Sequence, residues 1–412
     1  MLTHDLTLRP IEPAEYAALH RFVEGVFLSD ARPEDGADER QIFECERSGV
    51  VFDGTEIVGS SAILTRDLTV PGGPTPVACI SWVAVAPTHR RRGVLTRMMR
   101  AQLHSLHEEG GEPVATLWAS EAAIYGRFGY GLANRQARLE ADVRQLALRP
   151  DVERAPGTVR LSEPAEVLDD LVAVYERVRR DQVGHLGRAG NWWNRRLYFP
   201  EHRRDGFASL RAAVHHGPEG PDAYAVFATK NGWAGDGPDG RLTIRELTAT
   251  TAGAHAALWE VLLGIDLVRT LHWNLAPVDA PLLHQVTDAG RLRTAVFDGL
   301  WVRLVDVDRA LAARRYAAPL DVVFDVADDF CPWNAGRWRL TAVPGEAATC
   351  ARTDDPADLA LSATELGAAY LGGTSLGALA AAGRVRELRP GALRAAATAF
   401  AEPRAPHCPE VF

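Results

Sequence analysis

Lysine is nearly missing from this chain: Lys230 is the only one, and arginine carries the rest of the positive charge. Cysteine is scarce as well. Cys45, Cys79, Cys331, Cys350 and Cys408 are odd in number, widely spaced and without a CxxC pair, which argues against a disulfide framework and a zinc knuckle. No apolar run reaches the roughly 20 residues that span a bilayer, so no membrane partner is expected. Asp5, Glu12 and Glu15 stand where a secretory leader needs a basic start and an apolar stretch, so a cytoplasmic protein is expected. The 13 histidines include no HExxH, and His215-His216 beside Gly217-Pro218 reads as a loop pair; no metal is expected. A formal charge of −9 disfavours nucleic acid and favours small cationic molecules.

What is present is the composition of a globular protein, 47% hydrophobic and 24% charged over 412 residues. Domain sizes suggest roughly two to four folding units. The pattern predicts a helix over 13–27, an acidic turn-rich stretch over 32–39, paired strands at 50–53 and 57–64, and a central strand at 77–86. Leu95, Met98, Met99, Leu103 and Leu106 then recur at helical spacing until Gly110-Gly111, and 114–120 reads as the next parallel strand. A linker is expected near 149–157. Beyond it, a strand at 242–250, a helix over 254–265 and a strand at 271–275 repeat the plan, as in a diverged internal copy. After residue 316 come strands at 320–326 and 338–342 and an alanine-rich helical region over 363–382. Three prolines make 401–412 an extended tail.

Residues 81–99, SWVAVAPTHRRRGVLTRMM, join an apolar strand to an amphipathic helix through a basic turn containing Gly93. The first amides of a helix have no internal partners, so such a turn can cradle a diphosphate. It resembles the acetyl-CoA motif of the GNAT acetyltransferases; Arg90 and Gly93 fit that pattern, while Leu95 stands where it has Gly or Ala. The turn of the second copy, TTAGA at 250–254, lacks the arginines, and no cofactor is expected there.

SEAAIYGRFGYG at 120–131 closely resembles the block around the catalytic tyrosine of the Eis (enhanced intracellular survival) aminoglycoside acetyltransferases. GLWVRLVDV at 299–307 and YLGG at 370–373 extend the likeness along the chain. The resemblance implies an α/β architecture of tandem GNAT-like domains, the second degenerate, then a sterol-carrier-like α+β domain. The expected bounds are 1–150, 151–308 and 309–412. It also implies a homohexamer in which only the first domain binds acetyl-CoA. Val83, Ala84, Val85, Arg91, Arg92, Gly93, Val94, Leu95, Thr96, Ser120 and Glu121 are expected to hold that cosubstrate.

Moving acetyl from a thioester to an amine needs an unprotonated amine, a donor for the oxyanion and an acid for the departing thiolate. A splayed amide in 83–85 can be the donor and the Tyr125 hydroxyl the acid. In the Eis family the base is the terminal carboxylate of a phenylalanine, and this sequence ends in Phe412. The family's end is an acid followed by phenylalanine, whereas here Val411 intervenes and the acid is Glu410. One extended residue moves a carboxylate about 3.3 Å and to the opposite side. Trp82, Glu24, Asp30 and Glu410 are candidate substrate contacts.

GTSLG at 373–377 fits a nucleophile-elbow pattern around Ser375, but no buried strand precedes it, and a loop between helices is expected instead. The expected function is direct acetyl transfer to amines of small cationic molecules such as aminoglycosides. The alternative is an apolar-ligand-binding module in the third domain with the GNAT copies as scaffold.

Overall fold

The computed structural model describes residues 6–412. Its first sheet is built on a long antiparallel hairpin, Glu56–Val70 with Gly73–Val85, flanked by Ser48–Asp53 and then Thr7–Arg9. Val114–Trp118 lies parallel to Gly73–Val85 on the other side, and helix Val94–Glu109 makes the crossover. That helix buries Val94, Met98, Met99, Gln102, Leu103 and Leu106, nearly the expected stripe, and ends at Gly110 in the left-handed region. Leu95 is the exception, half-buried toward the groove described below.

The acidic stretch expected to be a turn is helix Pro33–Arg40. It has no apolar stripe to announce it. Pro33 in its first turn, Glu34 and Asp35 near its positive end and Arg40 near its negative end suit the helix dipole. Asp35 and Asp38 are buried and tied to Arg203, at 3.0 Å, and Arg195, at 3.1 Å.

Two strands are exchanged between the sheets. Leu300–Leu304 enters the first sheet antiparallel between Val114–Trp118 and Gly131–Leu132. In return Arg135–Asp142 lies in the second sheet, between Val268–Pro277 and Arg293–Asp298. The chain therefore passes between sheets at Ala133 and Asn134, earlier than the linker expected near 149–157. Both amides donate there to the Leu300 carbonyl, at 2.9 and 3.4 Å.

The second sheet continues from Val268–Pro277 through Gly240–Ala249, Gly220–Lys230 and Arg211–Gly217 to Thr158–Ser162. Gly240–Ala249 and Val268–Pro277 are parallel and joined by helix Ala252–Leu263, the expected repeat of strand, helix, strand. Here the helix start is answered from within, since Thr251 Oγ1 accepts from the Ala254 amide at 3.1 Å. A Cβ on Gly253 would stand 2.9 Å from the Ala155 nitrogen. His215 and His216 are strand residues, not a loop pair, bonded to Asp222 and Asp170.

A third sheet, ordered Thr349–Arg352, Gly336–Ala342, Leu320–Ala327, Leu359–Ser362, Arg386–Glu387, carries helices Ala363–Ala369, Leu376–Ala381 and Ala392–Phe400. Helix Ala363–Ala369 touches the first sheet backbone to backbone. A Cβ at Gly131 would lie 2.0 Å from the Thr364 carbonyl, and one at Gly367 would lie 2.3 Å from that of Val302. Ser375 caps Leu376–Ala381 by accepting from the Gly377 amide at 3.1 Å, which is a loop between helices and no elbow.

The tail has no helix or strand over 401–412, and residues 406–410 are buried against both of the first two sheets. Asn134 and Gln136 donate to the carbonyls of Pro406, at 3.2 Å, and Cys408, at 2.7 Å. His407 meets the Leu275 carbonyl at 2.9 Å, so part of the second copy's cleft is filled by chain. Among the described residues no helix is long and apolar enough to cross a membrane.

Candidate active site

The hairpin of the first sheet breaks register where the basic turn begins. Ser60 faces Ala84 and Ala62 faces Ser81, so Trp82 and Val83 stand together opposite Ser61, with Trp82 at φ +55. Such a bulge bends a strand and re-aims its side chains. On the opposite edge, pairing with Val114–Trp118 stops at Cys79↔Thr116, so the two parallel strands part beyond it. Among the described residues the edge of 83–85 that faces this opening has no strand partner, so its polar groups can serve a ligand. Gly93, at φ +80, then starts helix Val94–Glu109 and turns its first amides to the same opening.

A cavity of about 630 Å³ follows this opening. Of the residues expected to hold acetyl-CoA, Val83, Ala84, Val85, Arg91, Gly93, Val94, Leu95, Thr96, Ser120 and Glu121 all line it; Arg92 is exposed and does not. Its far wall was missed. Val26, Phe27 and Leu28, at the end of helix Tyr16–Val26, lean over the cavity, with Phe27 and Leu28 largely exposed. Apolar residues just past a helix end were the available signal.

Tyr125 stands on the short helix Ala122–Tyr125 and lines the same cavity, its ring packed edge-on to Tyr130 at 6.0 Å. Burial, aided by the Glu121 charge, pushes its hydroxyl up to about 12. The phenol is therefore neutral and holds its proton at physiological pH. Thr364 donates to the Gly126 carbonyl at 3.1 Å, so the third sheet's first helix braces the segment that carries Tyr125.

Trp82 faces the other way, into a second cavity of about 300 Å³ that also has Phe412 in its wall. Trp82 packs among Tyr16, His20 and Phe43, with its ring 4.6 Å from that of Phe43. Glu410 borders this cavity, but its carboxylate is turned into a buried network, 2.9 Å from Arg66 and 3.3 Å from Arg188. Burial opposes its ionisation, and Arg188, Arg66 and Arg196 outweigh burial, holding Glu410 below the usual carboxylate range. Val411 is exposed. Glu24, half-buried, and Asp30, exposed, line neither cavity.

Sequence reading missed most of the second cavity: Glu39, Trp192, Arg195, Arg196, Arg203 and Arg245. The Trp192-Trp193 doublet and the charged pair Arg245-Glu246 inside an apolar strand were the visible traces. His20, Glu24 and Glu39 bring ligand-type atoms within 4.8 Å of one another beside Trp82. His20 Nε2 lies 3.8 Å from Glu39, and burial lowers the pKa of its ring. In the third unit a cavity of about 430 Å³ is walled by Asp325, Arg337, Arg352 and Asp354, side chains unsuited to an apolar ligand.

Models of GNAT acetyltransferase domains match residues 7–133 and 184–309, and a sterol carrier protein domain matches 307–409. An uncharacterized N-acetyltransferase of Streptomyces avermitilis is 48% identical over 385 residues, covering 92% of this chain and 93% of its own. The N-acetyltransferase Eis of Mycobacterium tuberculosis is 38% identical over 385 residues, covering 90% of each chain. The crystal structure of Eis1 from Mycobacterium abscessus superimposes with a TM-score of 0.84 at 30% identity, over 99% of this chain and 100% of that one. GNAT acetyltransferases use acetyl-CoA, and the parted strands with a left-handed glycine at the helix start suit a pantetheine arm and a diphosphate. Two GNAT domains, a sterol-carrier domain and full-length similarity to Eis make this chain a member of the Eis family of N-acetyltransferases.

Proposed function

We propose that the chain transfers acetyl directly from acetyl-CoA in the larger cavity to a primary amine held in the smaller one. One observation carries this reading: the two cavities meet at a single strand, with Trp82 in the wall of one and Val83–Val85 in the wall of the other. The thioester supplies an activated acetyl group. Amides of 83–85 donate to its carbonyl oxygen, and those opening the Gly93 helix hold the diphosphate. Tyr125 keeps a proton at neutral pH and gives it to the departing sulfur. The carboxylate that ends the sequence at Phe412 receives the proton of the amine.

No cysteine lines the larger cavity, and Cys79, on the same strand, is fully buried with its thiol pushed well above its ordinary range by burial. A single transfer without an acyl-enzyme fits that chemistry. Aminoglycosides, the acceptors the resemblance implies, belong in the first panel of amines. The homohexamer is part of the same reading, and mass in solution tests it. Thiol release from acetyl-CoA against that panel tests the function: amine-dependent release is expected, and release that no amine accelerates refutes it.

A further inference from the structure

Four arginines stand in the wall of the smaller cavity, and three are already answered by carboxylates. Arg195 is 3.1 Å from Asp38 and 3.2 Å from Glu39, Arg203 is 3.0 Å from Asp35, and Arg196 is 2.9 Å from Glu246. Arg245 is different. Among the described residues its guanidinium has no hydrogen bond and no ion pair, and it lies over the ring of Phe199, 4.8 Å from the centroid. Phe199 lines the cavity too, so the cation is held at the wall by a ring; Glu246 acts on it through space, but among the described residues no carboxylate pairs with it directly.

The strand explains how it comes to be there. Val226 faces Glu246 and Phe227 faces Ile244, which leaves Arg245 as the extra residue of a bulge in Gly240–Ala249. A bulge takes a side chain out of strict alternation, here the one charged residue between buried Ile244 and buried Glu246. Arg245 is half-buried, and burial, followed by the charge of Arg196, pulls it down to about 10; it remains a cation at neutral pH. A cation withdrawn from water without a partner is costly. In a cavity wall, a ligand can remove that cost.

We propose that the acceptor supplies the missing charge: besides the amine that is acetylated, it carries a carboxylate or phosphate that docks on Arg245. This rests on the smaller cavity being the acceptor site. The planar guanidinium fork suits either anion, and its pairing would also orient the amine toward Trp82. A pure polycation has nothing to offer Arg245.

The test compares acceptors that differ only in the anion, at saturating acetyl-CoA: γ-aminobutyrate against its amide, and aminoethyl phosphate against ethanolamine, with an aminoglycoside as a third arm. The anionic member of at least one pair is expected to have a kcat/KM roughly 10-fold or more above its neutral twin, the scale of a hydrogen bond to a charged group. The pair that discriminates identifies the anion. Arg245→Met should bring that ratio close to one. Equal turnover within both pairs, preference for the aminoglycoside, or a variant that slows both members equally overturns the inference while leaving the acetyltransferase reading intact. Release that responds to no amine overturns both. The wild-type ratios decide the matter even if the variant does not fold.

Discussion

Tyr125→Phe isolates one proton. The ring is 5% exposed and belongs to the cluster of Ile80, Leu117, Phe128 and Tyr130, so phenylalanine keeps the packing. The residue lines the larger cavity, and among the described residues its hydroxyl makes no hydrogen bond. Its removal therefore leaves no orphan and should move stability by less than about 1 kcal/mol. Loss of a positioned acid costs roughly two to four powers of ten in turnover. The expected result is a kcat lower by that factor, with acetyl-CoA affinity and thermal midpoint nearly unchanged, read by stopped-time thiol release, calorimetric titration and thermal unfolding. The raised pKa adds a second reading. With a value of about 12, only about one hundredth of the hydroxyl is ionised at pH 10, whereas an ordinary tyrosine would be half ionised. The wild-type rate should thus show no alkaline decline from this group below pH 10. Unchanged kcat in Tyr125→Phe at saturating acetyl-CoA would refute the assignment.

Two other outcomes are expected. Extending the chain past Phe412 by a short peptide moves the carboxylate away from the wall of the smaller cavity; turnover should fall at least about 100-fold, the scale of a general base, while calorimetry finds acetyl-CoA affinity intact. Full turnover of the extended protein would sink the terminal-base role. Burial also lowers His255 and His407 from 6.5 to about 4, so both are neutral in the fold. The unfolded chain takes up their protons first, so stability is lost as pH falls from 6.5 toward 4, by up to about 1.4 kcal/mol per pH unit for each histidine. Chemical unfolding across that window should show this decline before carboxylates titrate, and His407→Gln should flatten part of it. A stability that is flat from pH 6.5 to 4.5 contradicts the sign.

Much of the first sheet was legible because its signals are local. The apolar run over 77–86, Gly93, and the stripe of Met98, Leu103 and Leu106 are each read within a few residues, and ten of the eleven expected cosubstrate contacts line one cavity. The smaller cavity was not legible, because it is assembled from segments far apart in the chain. Arg195 and Arg245 meet Trp82 and Phe412 through tertiary packing alone. Helix Pro33–Arg40 was hidden for a related reason: its stability lies in ion pairs to residues over 150 positions away, such as Asp38 with Arg195, and not in a stripe. Glu410 shows the converse. Its position in the sequence suggested a substrate contact, whereas Arg66 and Arg188 claim its carboxylate.

The trade of Leu300–Leu304 for Arg135–Asp142 has a consequence for any attempt to dissect the molecule. A fragment stopping after Asp142 would lack the strand between Val114–Trp118 and Gly131–Leu132, and would present Arg135–Asp142 with no neighbour on either flank. Each half completes the other's sheet, so a fragment of either is expected to be destabilised and to expose unpaired strand edges. Whatever else the second sheet does, it supplies the strand that closes its twin.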